Sequence, residues 1–353
     1  MTSGSDFGML QEALEAAQFL RASWQVADER LHDLGQSLRN QPPAFVVTVA
    51  RGSSDHAATY LSYLIMARRG CIAASLPMSL ITLYEAPLQA ANTLAIAVSQ
   101  SGQSPDVVAP IRYFREAQAT TVALVNDAHS PLAQAAQWTI PLGIGQERSV
   151  AATKSFIASL VASARLVAHW GADAQALSAL QTLPNRLEAA CDFALRPEGA
   201  GLPFTPVLEA LVEARNIMVV GRGPGLALAQ EAALKFKETS ALQAEAFSGA
   251  EIQHGPMALV EHGYTLLIFA LRGPAQPGLR QLAAEMRERG ARVLLAAPSD
   301  VPERSWTLPV ADDPDLDPIV AIQSFYLMVE RLARLRGCNP DVPRHLSKVT
   351  RTQ

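Results

Sequence analysis

At 353 residues, with 49% hydrophobic and 18% charged side chains, the chain is long enough for two globular cores and too apolar for disorder. A net charge of −4 excludes a global field for nucleic acid or an anionic membrane, so a phosphorylated ligand needs a local device to hold it. Cys71, Cys191 and Cys338 are odd in number and far apart, which suits free thiols in a reducing compartment and neither a disulfide framework nor a zinc site.

Residues 1–8 are polar and lack the basic-then-apolar pattern of a signal peptide. A helix is predicted over 8–38. Near-continuous apolar runs of strand length follow at 44–50, 93–98 and 120–125, with helical segments at 55–68, 105–118 and 151–170. Runs without polar alternation suit a parallel sheet covered on both faces. The stretch 155–170 is the most apolar, but it carries Arg165 and is too short and interrupted to span a bilayer. A soluble, cytoplasmic protein is expected.

The rhythm then recurs, with strands predicted at 216–220, 265–270 and 291–296 and helices at 225–240, 276–289 and 317–336. Val-Ala-Arg-Gly at 49–52 aligns with Val-Gly-Arg-Gly at 220–223, and Thr-Leu-Ala-Ile from 93 with Thr-Leu-Leu-Ile from 265. Offsets of 171 and 172 residues point to one duplicated α/β unit, joined near 190–204, where Arg196 and Pro197 interrupt a helical pattern. The expected fold is therefore α/β: two doubly wound domains with parallel sheets.

Two strands of the first half end in hydroxyl-rich loops that open helices: Gly52, Ser53 and Ser54, and the run Ser99, Gln100, Ser101, Gly102, Gln103 and Ser104. Ser104 is placed to N-cap a helix begun by Pro105. Helix N-termini with serine hydroxyls bind phosphate without a lysine or arginine. One such loop alone reads as ordinary capping. Two, both at strand C-termini of one sheet, read as a phosphate site. The equivalent loop of the second half, Leu271-Arg272-Gly273-Pro274, lacks the feature. Gly221-Arg222-Gly223-Pro224-Gly225 lacks full dinucleotide spacing and reads as a tight strand-to-helix turn, and there is no Walker loop.

On the helix that follows, Glu231, Lys235 and Glu238 share one face, yet Ala227, Leu228, Leu234 and Leu242 lie on or beside it, and Ala229, Ala232, Ala233 and Phe236 occupy the opposite side. An ordinary surface Glu–Lys pair brings polar neighbours with it. A line of charges in an apolar helix reads as a site. His254, before Gly255 and Pro256, sits on a constrained turn, and the remaining histidines show no metal-ligand spacing. Neither metal nor cofactor is expected. The Pro-rich tail from Asn339 to Lys348 reads either as a loose tail or, since Pro343 restricts the chain, as a segment whose Lys348 reaches back to a site.

Together these motifs resemble the tandem sugar-isomerase (SIS) domain family, and within it the isomerase half of glucosamine-6-phosphate synthase. Ser-Gln-Ser-Gly at 99–102, Val-Ala-Ala-Thr-Lys at 150–154, Ala-Leu-Lys-Phe-Lys-Glu at 233–238, His-Gly-Pro at 254–256 and Pro-Arg-His-Leu-Ser-Lys at 343–348 carry the resemblance. It implies that Ser53, Ser54, Ser99, Gln100, Ser101 and Ser104 hold a 6-phosphate, with Val150 and Ser347 beside the sugar. It implies Glu238 as the base between C1 and C2, His254 from a neighbouring subunit assisting ring opening, and Lys348 forming a Schiff base. Glu231 and Lys235 complete the polar site. The implied organisation is a helical segment at 1–38, a phosphate-binding domain at 39–190, a linker at 191–204, a domain with the catalytic helix at 205–338, and a tail at 339–353 over the active site. Gln103 and Ala152 depart from an acidic residue and a serine of the family pattern.

No glutamine-hydrolysing domain is expected, so release of nitrogen is the favoured direction: deamination of glucosamine 6-phosphate to fructose 6-phosphate and ammonia. Ammonia-dependent synthesis of glucosamine 6-phosphate, another phosphosugar isomerisation and deglycation of a fructosamine phosphate remain open. So does a sugar-phosphate sensor without turnover. The expected partners are a hexose or hexosamine 6-phosphate and a second copy of the chain in a homodimer, with no nucleic acid and no membrane.

Overall fold

The computed structural model describes residues 8–197 and 201–348. These fall into two compact units: one of residues 18–147, 154–181 and 347–348, the other of 8–17, 148–153, 182–197 and 201–346. The long helix α1 (Gly8–Asn40) gives its residues from 18 onward to the first unit and those before 18 to the second.

In the first unit follow β1 (Phe45–Val49), α2 (Ser53–Arg69), β2 (Ala73–Ser75), α3 (Ser79–Thr82), β3 (Thr93–Ser99), α4 (Pro105–Glu116), β4 (Thr120–Val125), α5 (Pro131–Ala135), β5 (Trp138–Pro141) and α6 (Lys154–Gly171). The strands form one sheet in the order β2-β1-β3-β4-β5, every pair parallel. β3 is buried along its whole length, which is why its sequence is an unbroken apolar run. One face packs Ala95, Ala97 and Ala123 against Val107, Ile111 and Phe114 of α4. Burial of a large apolar side chain of this kind contributes about 1.5–3 kcal/mol.

Helix α7 (Ala174–Leu195) begins in the first unit and ends in the second. The second unit continues with α8 (Thr205–Leu211), β6 (Asn216–Gly221), α9 (Gly225–Ser240), β7 (Gln243–Ser248), 3-10 turns at Glu251–His254 and Pro256–Leu259, β8 (Thr265–Phe269), α10 (Gln276–Glu288), β9 (Arg292–Ala297), β10 (Trp306–Thr307) and α11 (Asp317–Leu335). Its parallel sheet runs β7-β6-β8-β9-β10. That order repeats the first sheet strand for strand, so the sequence offset is a duplicated topology. Met218, Val220, Leu266 and Ile268 pack against Leu279, Leu282 and Met286 of α10.

The six apolar runs read from the sequence are β1, β3, β4, β6, β8 and β9, the interior strands of the two sheets. The edge strands β2, β5, β7 and β10 carried no such signal. Among the described residues, no helix is long and apolar enough to cross a membrane.

Candidate active site

In a sheet ordered 2-1-3-4-5 the chain leaves β1 and β3 in opposite directions, and the crevice beyond their C-terminal ends is where ligands bind. β1 and β3 are neighbours, with Val49 opposite Ala97. The loops after these two strands are the two hydroxyl-rich ones. Gly52 has φ 55 and α2 begins directly at Ser53, so Ser53 and Ser54 form the first helical positions. Ser104 occupies the N-cap of α4 with Pro105 at its first position; its carbonyl accepts from Val107 and Val108 N–H, both at 3.1 Å. Its hydroxyl does not cap the helix.

The second loop is shaped by its own serines. Ser99 Oγ accepts from Gly102 N at 3.0 Å and Ser101 Oγ from Gln103 N at 3.3 Å. A hydroxyl that accepts still has its own proton to donate, so both remain donors toward an anion. Gly102 has φ +64, and a Cβ there would lie 2.2 Å from Ser130 Oγ. Only glycine fits. Arg51, just past β1, pairs with buried Asp106 in the first turn of α4 at 3.1 Å, tying the two loops together. Burial pushes the Asp55 carboxyl of α2 upward.

The same unit holds the end of the tail. Lys348 Nζ reaches Glu147 Oε2 at 2.7 Å, and Glu147 is wholly buried. Glu147 also accepts from Ser155 N at 3.0 Å and Ser155 Oγ at 2.7 Å, in the first turn of α6. Burial alone would push the Glu147 carboxyl up; the charge and hydrogen bond of Lys348, with the Ser155 donors, outweigh it and hold the carboxyl below its ordinary range. Ser347 is exposed beside Lys348.

In the second unit, α9 carries the charged line, and it is buried as the apolar flanks implied. Glu231 and Lys235 have no exposed surface, whereas the Glu238 side chain is 19% exposed. Lys235 Nζ lies 3.3 Å from Glu231 Oε1 and 2.5 Å from Glu238 Oε2. Burial would lower Lys235; the two carboxylates outweigh it and hold the ammonium above its ordinary range. Tyr326 of α11, fully buried, donates its hydroxyl to Glu231 Oε1 at 3.1 Å. The order of groups is thus Tyr326, Glu231, Lys235, Glu238, from the interior outward. Glu238 lines a cavity of about 570 Å³ together with Leu234, Lys237, Cys338, Asn339 and Arg344.

His254 ends a 3-10 turn and is exposed; Gly255 after it has φ 141, a conformation closed to other residues. Val150 is half-buried and its N–H points to Asp341 O at 3.4 Å. Arg272 is taken up by Asp317 through two bonds, 2.8 and 2.6 Å, and by Ala311 O at 2.6 Å. At the turn after β6, a Cβ on Gly221 would meet Gly225 O at 2.2 Å, so the Gly-rich sequence there serves a tight strand-to-helix turn. Among the described residues no group of three or more His, Cys, Asp or Glu side chains is placed to hold a metal ion.

Two site members escaped the sequence. Glu147 stands next to Arg148 and looks like a solvated charge, and Tyr326 lies 95 positions from Glu231. Neither has a local pattern that marks it.

The SIS domain family matches residues 42–168 and 210–298. The glutamine–fructose-6-phosphate aminotransferase (isomerizing) of Aeropyrum pernix is 35% identical over 316 residues, 86% of this chain and 50% of that protein. The chain therefore spans about half the length of the curated relatives it matches. Among solved structures, a Silicibacter pomeroyi DSS-3 protein provisionally named a phosphosugar isomerase is 39% identical, with TM-score 0.87, covering 94% of this chain and 99% of its own. The C-terminal domain of glucosamine-fructose-6-phosphate aminotransferase from Francisella tularensis shares the fold, with TM-score 0.82 at 22% identity, over 97% of this chain and 100% of its own. The motifs, the duplicated sheets and these matches agree: the chain belongs to the SIS-domain family.

Proposed function

We propose that this chain is an aldose–ketose isomerase of phosphosugars, and within that class a deaminase converting glucosamine 6-phosphate and water to fructose 6-phosphate and ammonia. The observation that carries the reading is the α9 carboxylate array. A buried lysine is held charged between two glutamates, and one of these, Glu238, borders a cavity. A carboxylate so placed can move a proton between carbons α to a carbonyl or imine.

The first unit supplies binding: Ser53, Ser54, Ser99, Gln100, Ser101 and Ser104 hold the 6-phosphate at two helix N-termini. The second supplies the base. Glu238 takes the C2 proton of the open-chain 2-ammonium sugar and returns it at C1, while one nitrogen proton passes to the C1 oxygen, leaving a C1 hydroxymethyl and a C2 iminium. The Lys348 amine displaces ammonia from C2, and water then frees the ketose. Lys235, with Glu231 behind it, balances the changing charge on Glu238, while Val150 and Ser347 flank the sugar. His254, exposed on its turn, assists ring opening from a second copy of the chain in a homodimer. The name of the A. pernix relative joins isomerisation to fructose 6-phosphate, which supports a hexose 6-phosphate substrate here. Three free cysteines suit a reducing, cytoplasmic setting.

The test is ammonium and fructose 6-phosphate release from glucosamine 6-phosphate, with Glu238→Gln as control. The variant is expected to lose about 10²–10⁴-fold in kcat, the usual worth of a positioned general base. No release from any hexosamine 6-phosphate, or an undiminished variant, would sink the proposal.

A further inference from the structure

The tail lysine meets a partner that the scheme above leaves idle. The Lys348 side chain is 23% exposed, so it is within reach of a ligand, while the Glu147 side chain against it has no exposed surface. Donors converge on that carboxylate, among them Lys348 Nζ at 2.7 Å, Ser155 Oγ at 2.7 Å and Ser155 N at 3.0 Å. The last comes from the opening turn of α6, where backbone N–H groups lack intrahelical acceptors. Glu147 is thus fixed in place and walled from water, with the ammonium as its charged neighbour.

We infer that Glu147 is a catalytic carboxylate that takes the proton from Lys348 and returns it during imine formation, distinct in role from Glu238. The inference rests on the proposed Schiff base at Lys348. The ammonium proton passes to Glu147 Oε2, and the freed nitrogen lone pair attacks the C2 carbonyl. The carbonyl π electrons move to oxygen, which takes the proton back from Glu147. The nitrogen, now bearing two protons, releases one to Glu147, which hands it to the hydroxyl as it leaves as water. An ammonium and a ketone become an iminium and one water. Glu147 ends ionised beside a cation, as it began.

This arrangement has a kinetic signature. The pair as ammonium plus carboxylate holds the same number of protons as amine plus carboxylic acid. Reaching the nucleophilic amine therefore requires no net proton loss to solvent, and the rate of imine formation is flat across neutral pH. Without Glu147 the proton must leave to bulk water, and the rate follows the free amine fraction.

The experiment is reductive trapping of the full-length protein with fructose 6-phosphate and cyanoborohydride, read by intact mass and peptide mapping from pH 6.5 to 9. Wild type is expected to trap at Lys348 with a rate constant within about twofold over that range. Glu147→Gln is expected to trap with a rate that climbs about tenfold per pH unit, the slope for an ammonium that must first lose one proton to water. Glu147→Asp keeps a carboxylate and returns the flat profile at a lower rate. A carboxylate that merely docks the tail would lower trapping uniformly and leave the profile flat in Glu147→Gln; that result overturns the inference. So does a wild-type rate that itself climbs tenfold per pH unit, a test that needs no variant to fold. Wild type that traps nothing at Lys348, matching Lys348→Ala, overturns the Schiff base itself and this role with it.

Discussion

Replacing Lys235 by methionine tests the α9 array at its centre. The side chain keeps most of its volume, but Glu231, with no exposed surface, loses the cation 3.3 Å from its carboxylate. Breaking a buried ion pair by removing one partner costs about 3–5 kcal/mol, because the remaining charge stays desolvated. Glu238 is partly open to water and adds less. In a unit of this size each kcal/mol lowers Tm by about 2–4 °C, so Lys235→Met is expected to fall by about 6–20 °C. Glu231→Gln removes a charge while its cation keeps Glu238, and costs about 1–3 kcal/mol. The double variant leaves no unpaired charge at the fully buried position 231, only Glu238 with its partial access to water, so it should melt above Lys235→Met alone, a coupling visible in a double-mutant cycle. Calorimetry of the four proteins decides it. A Lys235→Met melt within about 2 °C of wild type, or a double variant as unstable as the sum of the singles, would refute the reasoning.

Further consequences follow from the other clusters. Gly102→Ala forces a Cβ to 2.2 Å from Ser130 Oγ at φ +64 and should cost about 1–3 kcal/mol; inorganic phosphate binding, read by calorimetric titration, should weaken more than tenfold. The depressed Glu147 carboxyl contributes stability that is present above the unfolded carboxyl value of about 4.3 and is lost as pH falls through the lower folded value. Thermal melts from pH 5 to 3 should show that loss, and Glu147→Gln should flatten it. Lys235 runs the other way. Held above its ordinary range, it contributes stability below about pH 10.4 that disappears as pH rises through the folded value, so melts should fall more steeply above pH 10.5 in wild type than in the double variant, which lacks the lysine. Burial, with Asp192 nearby, pushes the Cys191 thiol up to about 12, so iodoacetamide at pH 8 should label Cys71 and Cys338 well before Cys191.

The legible parts of this molecule are those whose physics is local. Interior parallel strands are buried on both faces, so β3 and β8 announce themselves as apolar runs. The edge strand β7, Gln-Ala-Glu-Ala-Phe-Ser, has weak β-propensity and exists because it pairs with β6 along its whole length. Helix α7 carries Pro184 within it and runs to Leu195, into the 190–204 stretch where the sequence places the join of the duplicated halves. At the site, the serine loops and the spacing of Glu231, Lys235 and Glu238 were legible because strand ends and one helix face are sequence-local. Tyr326 and Glu147 were not. Their roles depend on which distant side chain the fold brings within 3.1 and 2.7 Å, and no spacing encodes that.

The central claim is that Glu238 moves a proton at C2 of a phosphosugar. The most direct measurement follows the label of [2-²H]glucosamine 6-phosphate by NMR in the presence of the protein. Deuterium is expected to leave C2 as ketose phosphate forms, appearing at C1 or in solvent, whereas Glu238→Gln is expected to bind the sugar and leave the label in place. Label retained at C2 by the wild-type protein, or lost equally fast with Glu238→Gln, would contradict it.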